Sequence, residues 1–501
     1  MRQARALVRH LVWDFVRDVQ RDTAPTSTPP RLLLLAALVG AALALFYQLG
    51  VPLRASHSAR VTADEPFYLL TTVSLIEDGD LDLTNDYALR RYRAYFDHPQ
   101  ELRRQSVPTA DGRLLSPHNL GTSLLILPAY AMGGLDGAKR ALAVLGGATV
   151  TLAILLAYRA TGYQYASVVA GLLLGVSAPL FVYASQIYPE APAGLLVTAL
   201  AWLLLGERRG YGAAVLLALG LNGLVWLGTK YALVGATLAL FGFARLRWGP
   251  RVALTALLGA TGAFYAWFHL VTFGGLTPYA VNRLYAGHNT VELVGLHLDV
   301  WNRLYRFLGL WVDGEFGLVR WAPALLLTLP AVPLVASRSG AARWVLPCVF
   351  GTQLLVAVFL SITMRGWWFP GRMLVAVLPL LVVPLAHAVA QVPRRPWLGA
   401  VAGGLGLYTV GITIALHGAA ATETVVLAVD PFAMPWPPFQ ALAPIFPVYT
   451  TYEAPTWILS ALWLLVGVAL VLIGRRWSTT TNERGVERVV RLFPGGAPGR
   501  W

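Results

Sequence analysis

Apolar positions along this chain do not alternate with a short period. They gather into runs near ~20 residues, the length that crosses a bilayer as helix. Twelve such spans are predicted, at roughly 31–50, 137–158, 164–184, 190–206, 211–229, 231–245, 251–272, 321–337, 343–362, 372–391, 397–417 and 457–474. Only Lys230 and Tyr231 separate the fifth from the sixth, which predicts two tilted helices joined by a tight turn. The predicted fold class is an all-α polytopic membrane protein of about twelve transmembrane helices, with juxtamembrane helices in a large first extracytoplasmic loop.

Composition agrees with the pattern. Of 501 residues, 56% are hydrophobic and only 13% charged, against about a quarter charged in soluble domains. Mean hydropathy is +0.59. An ordinary soluble enzyme, a disordered chain and a fibrous protein are all excluded. The single Cys348 excludes a disulfide framework and a multi-thiolate metal site. A net charge of +14 would point a soluble protein toward nucleic acid. Here membrane topology accounts for it, and with no nucleic-acid motif interrupting the spans no such partner is expected.

The arginines set the orientation. With the N-terminus inside, the short inner segments hold Arg159, Arg208 and Arg209, Arg245, Arg247 and Arg251, Arg338 and Arg343, and Arg394 and Arg395. Both tails are Arg-rich, with Arg2, Arg5, Arg9, Arg17 and Arg21 in the first. Residues 1–30 read as a cytoplasmic tail and not a signal peptide, because no cleavage site follows a short apolar core. The predicted organisation is a core over 31–390 with an outer loop at 51–136, C-terminal helices over 391–474 with an outer loop at 418–456, and a cytoplasmic tail at 475–501. A third long outer loop covers 273–320. Long loops on one side place function at the outer face.

The first outer loop carries the pair Asp64–Glu65 followed by Pro66. Proline suits a first helical turn, so a helix is predicted from Pro66 to about Glu77. Leu69, Leu70, Val73 and Ile76 fall on one side of it, an interfacial pattern. Two readings of the acidic pair stand side by side. One makes it a helix cap. The other makes Asp64 a general base whose pKa is raised by burial and by its neighbour Glu65.

An Asp–Glu pair early in the first outer loop, ahead of a juxtamembrane helix and with GDLDL after it, resembles the GT-C superfamily of integral membrane glycosyltransferases. The protein O-mannosyltransferases and the bacterial aminoarabinose transferases are the nearest in appearance. The resemblance covers roughly residues 30–390 in topology, and its motifs are a few short strings. It implies that Asp64 is the catalytic acidic residue and Glu65 its neighbour. Ser116-Pro117-His118, then NLGTSLLILPAYAMGG, stands where such enzymes have a Pro-containing turn and a second juxtamembrane helix. Many relatives carry Lys where this chain has His118. Tyr188-Pro189-Glu190 stands where metal-using relatives carry a second acidic motif, here a single Glu. The expected location is the bacterial plasma membrane, with the site on its extracytoplasmic side.

Glycosyl transfer from a lipid phosphate requires a base for the acceptor, negative charge near the sugar and cations for the departing phosphate. The cation candidates are His118, Lys230, Arg320, Arg365 and Arg372. Lys230 is one of only two lysines; its plain reading is snorkelling to the interface. Arg365 and Arg372 bracket RGWWFPGR, whose Trp367 and Trp368 fit either a sugar platform or an aromatic belt. Glu190, Tyr188, Trp367 and Trp368 are the candidates for sugar and acceptor contact. Arg320 closes WVDGEFGLVR, where Asp313 and Glu315 also fit a turn with a local ion pair. The nine His show no metal-ligand spacing, and no P-loop or GxSxG string occurs. No cofactor is expected, although Glu190 leaves a divalent metal open.

The expected function is transfer of a sugar from a polyprenyl-phosphate donor to an acceptor hydroxyl, with a glycan, a lipid or a protein as acceptor and membrane lipids as surroundings. The alternative is a lipid or polysaccharide transporter or flippase without transferase activity. Matched pairs of Gly/Pro-broken helices, frequent in transporters, are not evident in the two halves of the sequence.

Overall fold

Helix α1 (Pro30–Tyr47) is apolar from Leu32 to Phe46 and packs along α3 (Gly121–Thr161), the longest helix of the core. The computed structural model describes Asp18, Gln20 and residues 27–492 apart from 208, 339 and 452. Arg2, Arg5, Arg9, Arg17 and Arg21 of the predicted N-terminal tail, together with Arg208 and the last nine residues of the C-terminal tail, lie outside the described residues. The described chain is helical, with no strand beyond two isolated bridges.

Two carbonyl-to-glycine approaches explain the α1–α3 contact. A Cβ on Gly40 would meet the Gly147 carbonyl oxygen, and a Cβ on Gly147 would meet that of Gly40. In lipid there is little hydrophobic drive between helices, so small residues that let backbones approach supply the packing. At 41 residues, α3 would run about 60 Å if straight, twice a bilayer core. It is two helices run together: Gly133 and Gly134 leave helical geometry, Gly134 at φ +58°. The first part is the predicted second juxtamembrane helix, and the second is the predicted span at 137–158.

Next come α4 (Gln164–Gly175), α5 (Ala178–Tyr183), α6 (Glu190–Leu204), α7 (Tyr211–Leu227), α8 (Ala232–Arg245) and α9 (Trp248–Phe273). A single 3₁₀ turn, Thr229–Tyr231, joins α7 to α8, as the close spacing predicted. Among the described residues six helices are long and apolar enough to cross a membrane, and several apolar helices of 10–17 residues accompany them. This is an integral membrane protein.

The predicted spans at 321–337 and 372–391 are not regular helices. The first is 3₁₀ over Pro323–Ala331 and α-helical over Val332–Ala336; the second is 3₁₀ at Arg372–Leu374 and Leu378–Leu381 and α-helical only over Val382–Val389. Pro323, Pro330, Pro333, Pro379 and Pro384 remove backbone donors from these stretches. Irregular backbone at membrane depth survives only where protein covers it. Leu374 through Leu378 and Val382 through Val383 are at most 1% exposed, which meets that condition. Both broken segments belong to the same half of the chain.

Helix α2 (Glu65–Glu77) occupies the predicted position but not the predicted setting. Every residue from Glu65 to Ser74 is buried, not one face alone. The first part of α3 and the turn Arg91–Ala94 pack against it, so α2 is enclosed by its own loop and is not an amphipathic helix lying on lipid. The three long outer loops are tied together. Val107 N–H donates to Val281 O (2.9 Å), Arg283 N–H to Gln105 O (2.9 Å), Leu427 N–H to Arg54 O (3.0 Å) and Gly314 N–H to Pro447 O (2.8 Å). All three therefore lie on one face of the protein.

Candidate active site

The ends of five separate segments meet beneath these loops. Asp64 precedes α2, His118 precedes α3, Glu190 starts α6, Lys230 sits in the turn between α7 and α8, and Arg372 opens the 3₁₀ turn after Gly371. Gly371 has φ +84°, a backbone conformation other residues rarely adopt, and it directs the chain so that Arg372 turns inward.

The charged side chains form a row. Arg372 Nη2 donates to Asp64 Oδ2 at 2.7 Å, and Arg372 Nε donates to Glu190 Oε1 at 2.7 Å. Lys230 Nζ donates to the same Glu190 oxygen at 2.6 Å. His118 Nε2 lies 4.0 Å from Asp64 Oδ1 and 2.7 Å from Gln105 Oε1. The centre of the row is closed and its ends are open: Arg372 and Glu190 side chains are 5% and 1% exposed, Asp64 and Lys230 25% and 27%. Tyr188 and Trp368 stack on the guanidinium, with ring centroids 4.1 Å and 4.8 Å from Arg372 Cζ. The His118 ring rests on Tyr68 at 5.0 Å and on Phe67 at 5.7 Å.

Asp64 stands at the N-cap position but makes no side-chain cap bond. Its carboxylate is turned to Arg372 instead, so the cap reading fails for Asp64. Ala63 just before it has φ +50°, a strained geometry of about 1 kcal/mol or more. The expected upward pKa shift is also reversed. Burial pushes the Asp64 carboxyl up, but nearby positive charge led by Arg372 outweighs it and holds the group at about 2. Burial pushes His118 down, against the opposing pull of Asp64.

Glu65 points the other way. Its Oε2 accepts the Thr62 N–H at 2.9 Å and its Oε1 the Ile187 N–H at 2.8 Å, with the residue fully buried. Burial raises its pKa, opposed by Lys139 and these two backbone donors. It ties the Asp64 loop to the Tyr188–Glu190 turn and does not face the charged row. Tyr188 Oη adds a bond to Thr62 O at 3.2 Å.

Arg320, Arg365 and Trp367 do not reach the row. Arg320 donates to Gly314 O and stacks on Phe439 at 4.1 Å. Arg365 donates to Tyr449 O at 2.8 Å, and Trp367 is 70% exposed. Asp313 accepts the N–H groups of Glu315, Phe316 and Tyr449, so this stretch is a turn.

Sequence reasoning missed four residues here. Asn119 bonds Thr229 through both ends of its amide, at 3.1 Å from the Thr229 N–H and 3.2 Å to its hydroxyl, and so seats the Lys230 turn beside His118. Gln105 orients His118. Among the described residues the buried Tyr231 hydroxyl has no hydrogen-bond partner, and neither do Glu190 Oε2 and Trp368 Nε1. Tyr279 is set close enough to feel the Asp64 and Glu190 charges. Of these, Tyr231 adjoins the singled-out Lys230 and Asn119 the singled-out His118; Gln105 and Tyr279 lie in loops whose meeting depends on folding.

The donor set does not fit a divalent metal. The slot between Asp64 and Glu190 is filled by the Arg372 guanidinium, and His118 is engaged by Gln105. The fold and the site together define an all-helical integral membrane protein with a carboxylate–guanidinium–carboxylate–ammonium row at one face. No family model matches the chain, and no curated protein does. Among solved structures it is similar to ArnT from Cupriavidus metallidurans in the apo state, 16% identical over 87% of this chain and 74% of that one, TM-score 0.48. It is likewise similar to the same protein bound to undecaprenyl phosphate, 14% identical over 87% of this chain and 76% of that one, TM-score 0.47.

Proposed function

We propose that this protein is a glycosyltransferase that takes a sugar from a polyprenyl-phosphate donor at the extracytoplasmic face of a bacterial plasma membrane. The observation that carries the reading is the row itself: the Asp64 carboxylate at one open end, the Lys230 ammonium at the other, and between them a guanidinium shared by Asp64 and Glu190. The donor phosphate binds at the Lys230 end and competes for Arg372, because Arg forks pair strongly with phosphate oxygens. The sugar lies along the row against Trp368 and Tyr188. Its hydroxyls meet Glu190 Oε2, the Tyr231 hydroxyl and Trp368 Nε1, the polar atoms without partners.

The acceptor hydroxyl approaches Asp64. The anomeric carbon–phosphate oxygen bond breaks, and its electron pair leaves with the polyprenyl phosphate held by Lys230 and Arg372. The acceptor oxygen bonds to the anomeric carbon from the opposite side and its proton passes to Asp64, inverting the centre. Negative charge on Asp64 and Glu190 stabilises the positive sugar in between. In the donor-free row Asp64 is a weak base because Arg372 holds it near 2. A phosphate that draws Arg372 away removes that restraint, so donor binding itself makes Asp64 more basic. His118 and Glu65 serve Asp64 by position, Glu65 through the backbone of Thr62 and Ile187. Arg320, Arg365 and Trp367 have no part in this step.

The test uses the purified full-length chain with radiolabelled sugars on undecaprenyl phosphate, hexosyl and pentosyl, and a mixture of envelope lipids and glycans as acceptors. Transfer that disappears in Asp64→Asn supports the reading. Passage of intact donor between leaflets, with no glycosidic bond broken, would replace it with the transporter.

A further inference from the structure

The outer loop 273–320 contains a helix of 8 residues, α10 (Thr290–His297), that carries no residue of the charged row. Asn289 and Glu292 close a capping box at its start. The sequence gives it three faces. Val291, Val294 and Leu298 recur at helical spacing on one of them and are 80%, 47% and 64% exposed. Glu292 and Asp299, two turns apart, form an exposed acidic face. Leu293, Leu296 and His297 are half-buried against the protein. Trp301, just past Leu298, is 84% exposed.

Hydrogen bonds fix where this helix rests. The span Ala342–Leu360 ends in backbone carbonyls that a helix cannot satisfy from within, and the chain around the end of α10 supplies donors to them. Arg303 donates to Phe359 O, and the same guanidinium donates to Leu296 O in α10. Arg306 donates to Ser361 O at 2.6 Å and to Ile362 O at 2.8 Å, and His297 Nδ1 to Leu360 O at 3.1 Å. The Phe307 ring lies edge-on to Phe359 at 5.4 Å. Arg365, just beyond this end of the span, donates to Tyr449 O in the loop 418–456, so the end lies on the face of the long outer loops. Helix α10 therefore sits at the level where a membrane-crossing helix leaves the lipid. Its apolar face continues the exposed apolar surface of the span through Leu360 and Phe307.

We propose that α10 is a membrane-surface anchor, with Val291, Val294, Leu298 and Trp301 set among the headgroups and first methylenes of the leaflet on the side of the charged row. A contiguous exposed apolar strip on a folded protein marks an interaction surface. A short helix with an apolar face and a charged face suits the plane of the interface, and Trp settles at headgroup depth. The occupant is lipid because the strip runs on from a surface that already faces lipid. The acidic face then points to water. Helix α2, where the sequence pattern predicts such a helix, is enclosed by protein, and α10 takes the interfacial place instead. Arg283 of the same loop holds Gln105 through its N–H, so the anchor also sets the height of the loop beside His118. The inference does not depend on the transfer chemistry.

The experiment uses the full-length chain with its single cysteine removed as Cys348→Ser, carrying either Val294→Cys or Asp299→Cys. Each is labelled with an environment-sensitive fluorophore and reconstituted in phosphatidylcholine vesicles at a single chain per vesicle. One set of vesicles contains phosphatidylcholine spin-labelled near the headgroup, and the other receives iodide in the water. The label at Val294 is expected to emit at shorter wavelength, to lose most of its emission to the spin-labelled lipid and to resist iodide. The label at Asp299 is expected to lose its emission to iodide instead. Equal iodide quenching at the two positions, with no quenching of the Val294 label by spin-labelled lipid, would overturn the proposal. A Val294 label that is shielded only at many chains per vesicle would replace lipid with a second copy of the chain. Should Val294→Cys fail to fold, Val291→Cys on the same face makes the same comparison.

Discussion

Arg372 is the residue whose removal is most informative, because it is bonded to two carboxylates at once. Arg372→Met keeps much of the side chain's volume and its packing between Tyr188 and Trp368. It removes the hydrogen bonds to Asp64 and Glu190, each 2.7 Å in the native structure. Glu190, 1% exposed, then keeps only Lys230, and Asp64 keeps only the imidazole 4.0 Å away. Breaking a buried ion pair by deleting one partner costs about 3–5 kcal/mol, because the other charge stays buried. Asp64 is a quarter exposed and water recovers part of that, so about 3 kcal/mol is expected here. If the loss is charge left behind, Arg372→Met/Glu190→Gln should regain about 1–2 kcal/mol over Arg372→Met alone, a coupling typical of contacting groups. The assay is thermal or denaturant unfolding of the four proteins in one detergent, completed by Glu190→Gln. A double variant no more stable than Arg372→Met, or an Arg372→Met melting with the wild type, would refute the reasoning: Arg372 would then not balance these carboxylates.

The pH dependence follows from Asp64, whose folded carboxyl lies at about 2 against an ordinary 3.8. A depressed carboxyl stabilises the fold above its unfolded pKa, and this is lost as pH falls from about 4 toward 2; the contribution is about 2 kcal/mol, seen as a melting difference between wild type and Asp64→Asn that shrinks below pH 4. In kinetics, kcat/KM reports the donor-free enzyme and should show no acid limb from Asp64 down to about pH 4, whereas kcat reports the donor-bound enzyme and should show its limb at higher pH; coincident limbs would contradict competition for Arg372. Tyr231→Phe removes a hydroxyl with no partner among the described residues, so it should leave stability unchanged within about 0.5 kcal/mol while lowering kcat/KM about tenfold, and a change in melting alone would count against a ligand contact. Glu65→Gln leaves one amide N–H facing a backbone donor; about 1–3 kcal/mol of stability should go, with transfer impaired through kcat more than KM, and an unaltered kcat would deny Glu65 its positioning part.

Several features could be read before folding because they rest on short stretches of chain. The spans at 31–50, 211–229 and 231–245 follow from apolar runs alone, and α2 begins where Pro66 predicts it. Asp64, His118, Glu190, Lys230, Arg372, Tyr188 and Trp368, singled out one by one, lie together in the structure. Arg320, Arg365 and Trp367 shared the same signs, a cation or aromatic ring near a span end, yet their side chains turn to nearby carbonyls or to the surface. Local sequence cannot tell these cases apart, since a turn of a few residues decides which way a side chain faces.

Membrane insertion leaves little freedom at the level of single segments: an apolar run that faces lipid must become helix, because lipid offers its backbone no partners, and the runs at 321–337 and 372–391 escape this where protein covers them. That constraint is local and therefore legible in the amino acids. The pairing of Asp64 with Arg372 joins residues 308 positions apart, and the pKa of Asp64 reverses direction because of it. Glu65 likewise turns away from its neighbour once Thr62 and Ile187 supply donors. Such electrostatic facts depend on distances of a few ångströms between distant segments, and those distances exist only after the helices have packed.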